Sequence, residues 1–155
     1  MATRSRIGVL NSDGTVDSIY VHWDGYTSHN GRTLVENYTD EVKIRELLEL
    51  GDISSLGQEI GEKHPFSNPH GYGTTEYDNF EIMYGKMCNA YGRDRGKTDI
   101  QSRRSQDVES YLSIGEEYNY LFYYGRWMVH SYATDKKWVQ VSEQLAREEA
   151  EQELD

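Results

Sequence analysis

Cysteine is almost absent from this chain. Among 155 residues there is one, Cys88. A single cysteine cannot form an intramolecular disulfide, and it cannot supply the thiolates of a cysteine-based zinc site. The composition therefore excludes the disulfide-stabilised secreted class and fits a reducing cytoplasm.

Long apolar runs are also missing. No stretch of the sequence approaches the length that a membrane-spanning helix needs, and the first residues are polar, without the apolar centre of a signal peptide. We therefore expect no membrane partner.

Basic residues are fewer than acidic ones in this chain. The chain has 16 Lys and Arg residues against 27 Asp and Glu residues, which gives a net charge of -11. A protein of this charge is not expected to bind nucleic acid as a whole. The acidity either keeps the protein soluble or imitates nucleic acid and so occupies a basic partner protein. The cations gather at three places: Arg4 and Arg6; Arg93, Arg95 and Lys97; and Arg103 and Arg104.

Apolar and aromatic residues are plentiful enough for a folded core. Hydrophobic residues make up 36% of the chain and aromatic residues 12%, including 13 tyrosines. This length suits one domain rather than two. We therefore expect a single domain over residues 1–155, with an acidic helix end that frays at about 146–155.

The hydrophobic pattern predicts two hairpins and several helices. Alternating apolar residues predict strands at 6–10 and 15–23, and again at 117–124 and 127–132. Helical spacing and capping residues predict helices at 30–38, 39–50, 107–114 and 143–151. Residues 75–91 fit either a helix or a strand. The sum predicts an α+β fold, an antiparallel sheet built from two hairpins with helices packed on one face.

Several glycine-containing phrases are more specific than a scaffold requires. They are MATRSRIGVL (1–10), IYVHWDGY (19–26), GDISSLG (51–57), GEKHPF (61–66), AYGRDRG (90–96) and EYNYLFYYGRWMV (117–129). With these phrases the chain resembles an uncharacterised family of small bacteriophage and prophage proteins. The resemblance covers most of the chain. It implies a virus-encoded accessory protein that acts in the host bacterial cytoplasm, and it transfers no cofactor and no chemistry.

The phrase Arg93-Asp94-Arg95 is the first candidate site. In a strand or tight turn both guanidinium groups would point the same way, and such forks suit phosphate or carboxylate. The phrase predicts either an anion or nucleotide site or a structural ion-pair network, in which Asp94 holds backbone amides or Arg4 or Arg6. Both interpretations stay open at this point.

The polar face of the first hairpin is the second candidate. It carries Arg6, Tyr20 and His22, and His22 beside Asp24 could act as a base. No serine or cysteine stands in the context of a nucleophile, so we expect no catalytic residue here. The candidate residues for binding an anionic ligand are Arg4, Arg6, Tyr20, His22, Asp24, Tyr26, Arg93, Asp94 and Arg95.

Two further patterns favour structural explanations. His64 and His70, with Glu62, lie in a glycine- and proline-rich loop at 57–74, but their spacing matches no standard metal site, so we expect no metal. The aromatic residues of 118–132 could stack nucleobases. An acidic chain makes them more consistent with core positions and a tyrosine-rich surface for binding or for a homo-oligomer.

These observations lead to one main hypothesis and two alternatives. The main hypothesis is a non-enzymatic binding protein that counters host defence, because small phage proteins of this kind act by binding. It would sequester an anionic nucleotide signal or occupy a host defence protein. The alternatives are a small enzyme acting on a nucleotide or nucleic acid, and a structural or assembly factor.

Overall fold

A computed structural model describes residues 2–154; Met1 and Asp155, the two ends of the expected domain, lie outside the described residues. In this range one sheet is combined with six α-helices. The strands are β1 (Ser5–Leu10), β2 (Val16–Val21), β3 (Ile53–Ser55), β4 (Asn89–Ala90), β5 (Arg103–Ser105), β6 (Tyr118–Tyr123), β7 (Arg126–Ser131) and β8 (Val139–Gln140). The helices are α1 (Arg32–Asn37), α2 (Glu41–Glu49), α3 (Thr75–Tyr84), α4 (Tyr91–Arg95), α5 (Val108–Ser113) and α6 (Val141–Leu154).

The sheet is mixed. Its eight strands follow the order β4-β3-β2-β1-β6-β7-β8, and β5 pairs with β2. β1 runs antiparallel to β2 and β6 antiparallel to β7, but β1 is parallel to β6 and β2 is parallel to β3. The α+β class is therefore confirmed, whereas the expected antiparallel sheet is wrong.

The parallel pairing of β1 with β6 has a physical reason. It places Ile7 beside Tyr120 and Val9 beside Phe122. Since side chains alternate between the faces of a strand, these four all lie on one face, where they are buried. The long connection between β2 and β6 allows the parallel direction, which a short hairpin loop would not.

The larger core lies on this first face of the sheet. Ile7, Ile19 and Val129 pack with Leu34 of α1 and Ile44 of α2. Asp40 caps the start of α2, because its carboxylate accepts a hydrogen bond from the Val42 amide at 3.0 Å. α6 adds Val141 and Leu145 to the same core, so α1, α2 and α6 together cover this face.

A smaller core lies on the second face, and it also carries a helix. Tyr111 of α5 packs on Val16 and Leu121, and its hydroxyl donates to the Tyr120 carbonyl at 2.7 Å. A Cβ atom at Gly8 would lie 2.9 Å from Val16 Cγ1 and 3.0 Å from the Tyr111 ring, so the close approach of α5 favours a glycine there. The expectation that helices pack on one face only is therefore wrong, because this half of the second face is apolar and needs cover.

The middle segment of the chain is attached to the sheet through Tyr38 and Cys88. The buried Tyr38 hydroxyl donates to the Gly57 carbonyl at 2.7 Å and lies 3.3 Å from Cys88 Sγ. Between these attachments, α3 begins at Thr74, whose hydroxyl accepts from the Tyr77 amide, and it has no buried residue. The ambiguous stretch 75–91 is thus a helix followed by the short strand β4.

Candidate functional site

The half of the second face that α5 leaves open is polar. Arg6 is the register partner of Tyr20 on one side and of Asn119 on the other, and Asn119 is the partner of His130. These four residues form a row across four neighbouring strands. The apolar half of the face is occupied by α5, so this row is the part of the sheet that can meet a ligand.

Arg6 is a buried cation at the centre of the row. Its side chain and backbone together are only 5% exposed. The guanidinium donates three hydrogen bonds to Ser18. Nε donates to Oγ at 3.2 Å, and Nη2 donates to Oγ at 3.0 Å and to the carbonyl at 3.4 Å. Asp94, which the sequence suggested as a partner of Arg6, does not pair with it, because Ser18 on the adjacent strand is within reach of the guanidinium on the same face.

No carboxylate forms an ion pair with Arg6 within residues 2–154. Burial lowers the pKa of its guanidinium, and Tyr111, Asp52 and Glu116 oppose this shift from a greater distance. Arg103, on β5, adds to the lowering. A buried guanidinium without a close counter-ion is costly, and an anion bound beside it would offset that cost.

Tyr20, on β2, lies next to Arg6. His22 follows just beyond the end of β2. The Tyr20 hydroxyl is 2.7 Å from His22 Nδ1. Burial raises the pKa of Tyr20, the Arg4 guanidinium lowers it, and Glu116 and Tyr91 raise it further. Arg4, Glu116 and Tyr91 thus act electrostatically on the Tyr20 hydroxyl.

Tyr91 links the row to the cations at the end of α4 and just after it. Lys97 Nζ lies 5.1 Å from the centre of the Tyr91 ring, and the Arg95 guanidinium lies 5.2 Å from the same ring and 4.6 Å from that of Phe66. Both cations are exposed. We call this region the Tyr20–Tyr91 surface, and its residues are Arg4, Arg6, Tyr20, His22, Tyr91, Arg95 and Lys97.

Arg93 and Asp94 are not part of that surface. The Asp94 carboxylate is fully buried and accepts from Arg93 Nε at 2.9 Å, from Arg93 Nη2 at 3.1 Å and from the amides of His64 and Ala90. Arg93 also donates to the carbonyls of Ile60 and Cys88. All three guanidinium nitrogens are engaged, so this pair forms a structural network that holds the 61–66 loop to β4.

The two arginines of the phrase therefore point in different directions. They lie on the short helix α4 rather than on a strand or in a tight turn, so alternate residues do not share a face. Arg93 turns inward to Asp94, and Arg95 turns outward to Phe66 and Tyr91. The expectation of two parallel guanidinium groups is wrong, and of this phrase only Arg95 is available to a ligand.

Asp24 and Tyr26 lie after β2 and interact with each other. The Tyr26 hydroxyl donates to Asp24 Oδ1 at 3.3 Å, and His29 Nε2 is 3.9 Å from Asp24 Oδ2. His22 makes its contact with Tyr20 instead. The pairing of His22 with Asp24, on which the sequence-based idea of a base depended, is therefore not formed.

The structure also gives positions for the remaining patterns. In residues 2–154 no group of three or more metal-ligating side chains comes together. Both ring nitrogens of His64 lie 2.9 Å from a backbone carbonyl, Nδ1 from that of Pro65 and Nε2 from that of Cys88. Within the same range, no helix combines the length and the apolar character that crossing a membrane demands. Of the aromatic residues at 118–132, Tyr120, Phe122 and Trp127 are buried, and Tyr123, Tyr124 and Tyr132 are exposed.

Sequence reasoning missed three members of the site or its surroundings. Tyr91 begins the YGRDRG phrase, but only the fold shows that it approaches Tyr20. Asn119 belongs to β6 and becomes a neighbour of Arg6 through the parallel pairing. Arg103 comes near Arg6 because β5 pairs with β2. The local signal for Asn119 is that it is the one strongly polar residue in the sequence of β6, YNYLFY.

Comparison of the chain with models of protein families, with curated proteins and with solved structures finds no match.

Proposed function

We propose that this protein is a non-enzymatic binding protein that captures a small anionic ligand of the nucleotide class on the Tyr20–Tyr91 surface. The observation that carries the proposal is the Arg6 guanidinium, which is buried and has Ser18 as its hydrogen-bond partner but no ion pair in the described range. A phosphate is the anion that guanidinium groups bind best, through paired, charge-assisted hydrogen bonds.

The surroundings of Arg6 suit the rest of such a ligand. Arg4, Arg95 and Lys97 provide further cations, and they are all exposed. The rings of Tyr20, His22 and Tyr91 provide faces on which a base can stack. These cations stand on a chain whose net charge is -11. The carboxylates of Asp52 and Glu116 act on Arg6 as well, but neither forms an ion pair with it in the described range.

In this proposal the protein is phage-encoded and works in the host bacterial cytoplasm. It counters a host defence system by holding an anionic nucleotide signal in stoichiometric amounts. The family resemblance of the sequence supports this setting, and the chemistry of the Tyr20–Tyr91 surface supports the ligand class. Occupation of a host defence protein is the other mode of the same function.

An enzyme acting on a nucleotide is the second candidate. The observation that favours it is the 2.7 Å contact between the Tyr20 hydroxyl and His22 Nδ1, since an imidazole can accept or supply a proton there. A structural or assembly factor remains the third possibility, supported by the exposed Tyr123, Tyr124 and Tyr132.

Calorimetric titration with a panel of mononucleotides, dinucleotides and cyclic nucleotides tests the proposal. We expect saturable binding to at least one member, and release of the unchanged ligand when the complex is denatured. The double variant R4A/R95A removes two exposed cations and should weaken binding at least about tenfold, since hydrogen bonds to charged groups contribute about 1.5–3 kcal/mol each.

The control variant is R126A, which removes an exposed arginine of β7 outside the Tyr20–Tyr91 surface. Binding by R126A should equal that of the unchanged protein. Conversion of the ligand during incubation would favour the enzyme instead. No binding to any member, or equal loss in R126A and R4A/R95A, would contradict nucleotide capture by this surface.

A further inference from the structure

The cover that α5 gives to the apolar half of the second face is incomplete. Next to the start of this helix lies a cavity of about 370 Å³, whose lining consists of apolar and aromatic residues: Val108, Leu121, Tyr123, Met128 and Trp138. Leu121 and Met128 are register partners on β6 and β7, Val108 begins α5, and Trp138 precedes β8. This volume lies within the range of about 300–1,000 Å³ that is usual for small-molecule sites, whose lining is mostly apolar.

Trp138, which forms one wall of this cavity, is held in place from two sides. The turn before it is closed by the Lys136 amide, which donates to the Ser131 carbonyl at 2.8 Å. The Trp138 ring packs on the ring of His130, with centroids 5.3 Å apart. Because these contacts already fix the wall, little conformational freedom remains to be lost when a ligand enters the cavity.

A second cavity, of about 340 Å³, continues the first toward the turn between β6 and β7. The two cavities share Tyr123 and Met128, and the second adds Tyr124, Arg126 and Gln140. Arg126 precedes Met128 by two residues on β7, so both side chains lie on the same face of the sheet. We call the two cavities together the Trp138 groove.

The charge of the Trp138 groove is opposite to that of the chain. No Asp or Glu is among the described residues that line either cavity, although the chain has 27 of them. Arg126 is exposed and forms no ion pair within residues 2–154. Of the two carboxylates beside Val108 in sequence, that of Asp107 accepts a hydrogen bond from the Ser110 amide at 2.8 Å, and Glu109 is exposed outside the lining. The groove therefore combines an apolar cavity with one cation at its end.

We propose that the Trp138 groove binds a small carboxylate that carries an apolar ring, with the ring in the apolar cavity and the carboxylate at Arg126. The rings of Trp138 and Tyr123 and the sulfur of Met128 pack favourably on a flat ring. A guanidinium group binds a carboxylate through two parallel hydrogen bonds. The groove shares no residue with the Tyr20–Tyr91 surface, so this site is independent of nucleotide capture and stands if that function fails.

Titration of the protein with phenylbutyrate, followed by NMR of labelled methionine methyl groups and tryptophan indoles, tests the site. We expect saturable shifts of the Met128 methyl and the Trp138 indole, and none of the indole of Trp23, which is exposed outside the groove. Phenylbutyramide, the neutral counterpart, should bind about fivefold more weakly, since an exposed ion pair contributes up to about 1 kcal/mol. No saturable shift at Met128 and Trp138, or equal affinities for the acid and the amide, would overturn the proposal.

Two matched valine variants test whether the ring enters the apolar cavity. V108F places a larger side chain in the cavity and should abolish phenylbutyrate binding, while the melting temperature stays close to that of the unchanged protein. V42F makes the same change at an exposed position of α2 outside the groove and should bind like the unchanged protein. Equal affinities of V108F and V42F would show that the cavity does not hold the ring.

The variant R126A tests the other end of the groove, and it decides the matter if V108F fails to fold. Because Arg126 is exposed, its removal should leave the fold intact. R126A should bind phenylbutyrate no better than phenylbutyramide, with the affinity for the amide unchanged. A preference for the acid that survives in R126A would overturn the assignment of the carboxylate to Arg126. The same variant should leave nucleotide capture unchanged, so the two sites fail or succeed separately.

Discussion

The Asp94 carboxylate, fully buried, accepts two hydrogen bonds from the Arg93 guanidinium next to it in sequence, at 2.9 and 3.1 Å. Because neighbouring residues on α4 point in different directions, this contact requires the Arg93 side chain to turn back toward Asp94, and the same guanidinium also donates to the Ile60 carbonyl, next to the 61–66 loop. The pair therefore serves to join a long irregular loop to the sheet. In this role it differs from Arg95, which packs on aromatic rings at the surface.

We predict that Asp94→Ala and Arg93→Ala each destabilise the protein by roughly 3–5 kcal/mol, the usual cost of leaving one member of a buried pair alone. Arg95→Ala should cost less than about 1 kcal/mol, because an exposed cation–π contact contributes little. Urea denaturation of the three variants measures this. Wild-type stability in Asp94→Ala would show that the pair is not structural.

The same carboxylate predicts how stability depends on pH. Burial by itself raises the pKa of Asp94, but the bonds from Arg93, Ala90 and His64 outweigh it and hold the pKa below its ordinary value. A carboxyl with a lowered folded-state pKa stabilises the protein above the unfolded pKa of about 3.9. That stabilisation is lost as pH falls through the folded-state pKa.

We therefore expect the free energy of unfolding to fall in the acid range below about pH 4–5, and to fall less steeply in Asp94→Asn, which cannot titrate. Asp17, whose pKa the hydrogen bond from Arg104 lowers, contributes in the same range, so the slope should be reduced and not abolished. Urea denaturation at a series of pH values checks this. An identical slope in the variant would contradict it.

Local patterns predicted much of the fold, and long-range pairing decided the rest. The alternation of Ile7 with Val9 and of Ile19 with Val21 was sufficient to predict β1 and β2. Nothing in those residues states that β6 pairs with β1 in parallel, because that depends on a connection of many residues. β5 was not predicted either, since its sequence Arg103-Arg104-Ser105 is polar and is held by pairing with β2 and by the bonds of Arg104 to Asp17.

The residues of the candidate site also fall into those that local patterns predicted and those that depend on contacts distant in sequence. Arg6, Tyr20 and His22 were recognised because alternation places polar residues on one face of a hairpin, whereas Arg4 was recognised only as a cation near Arg6 in the sequence. The separation of Arg93 from Arg95 was not predictable, because it depends on a five-residue helix and on the position of a loop distant in sequence. Composition alone cannot indicate such a contact.

We predict that the protein does not bind DNA or RNA with appreciable affinity. Binding to a phosphate backbone depends on many cation contacts, and a net charge of -11 opposes it. A small phosphate-bearing ligand needs contacts with one cluster only, so this prediction is compatible with nucleotide capture. Fluorescence anisotropy with a labelled oligonucleotide of random sequence should show no change, and tight, salt-sensitive binding would refute it.

The last prediction concerns the acidic end of α6. The buried residues of this helix are Val141, Gln144 and Leu145, near its start. Beyond them, the Arg32 guanidinium meets the Glu149 carboxylate at 2.6 Å, with the two side chains 40% and 58% exposed. Exposed ion pairs contribute about 0–1 kcal/mol, so the end of the helix contributes little to the free energy of unfolding.

Truncation after Glu148 should therefore lower the melting temperature by no more than about 2–4 °C, the shift that 1 kcal/mol produces in a domain of this size. Arg32→Ala in the full chain removes the same ion pair and should give a similarly small change. Leu145→Ala should cost about 2–4 kcal/mol, because it removes a buried side chain from the larger core. Thermal melts of the three proteins decide the matter: if truncation destabilises as much as Leu145→Ala, the end of α6 contributes to the core through contacts other than the ion pair.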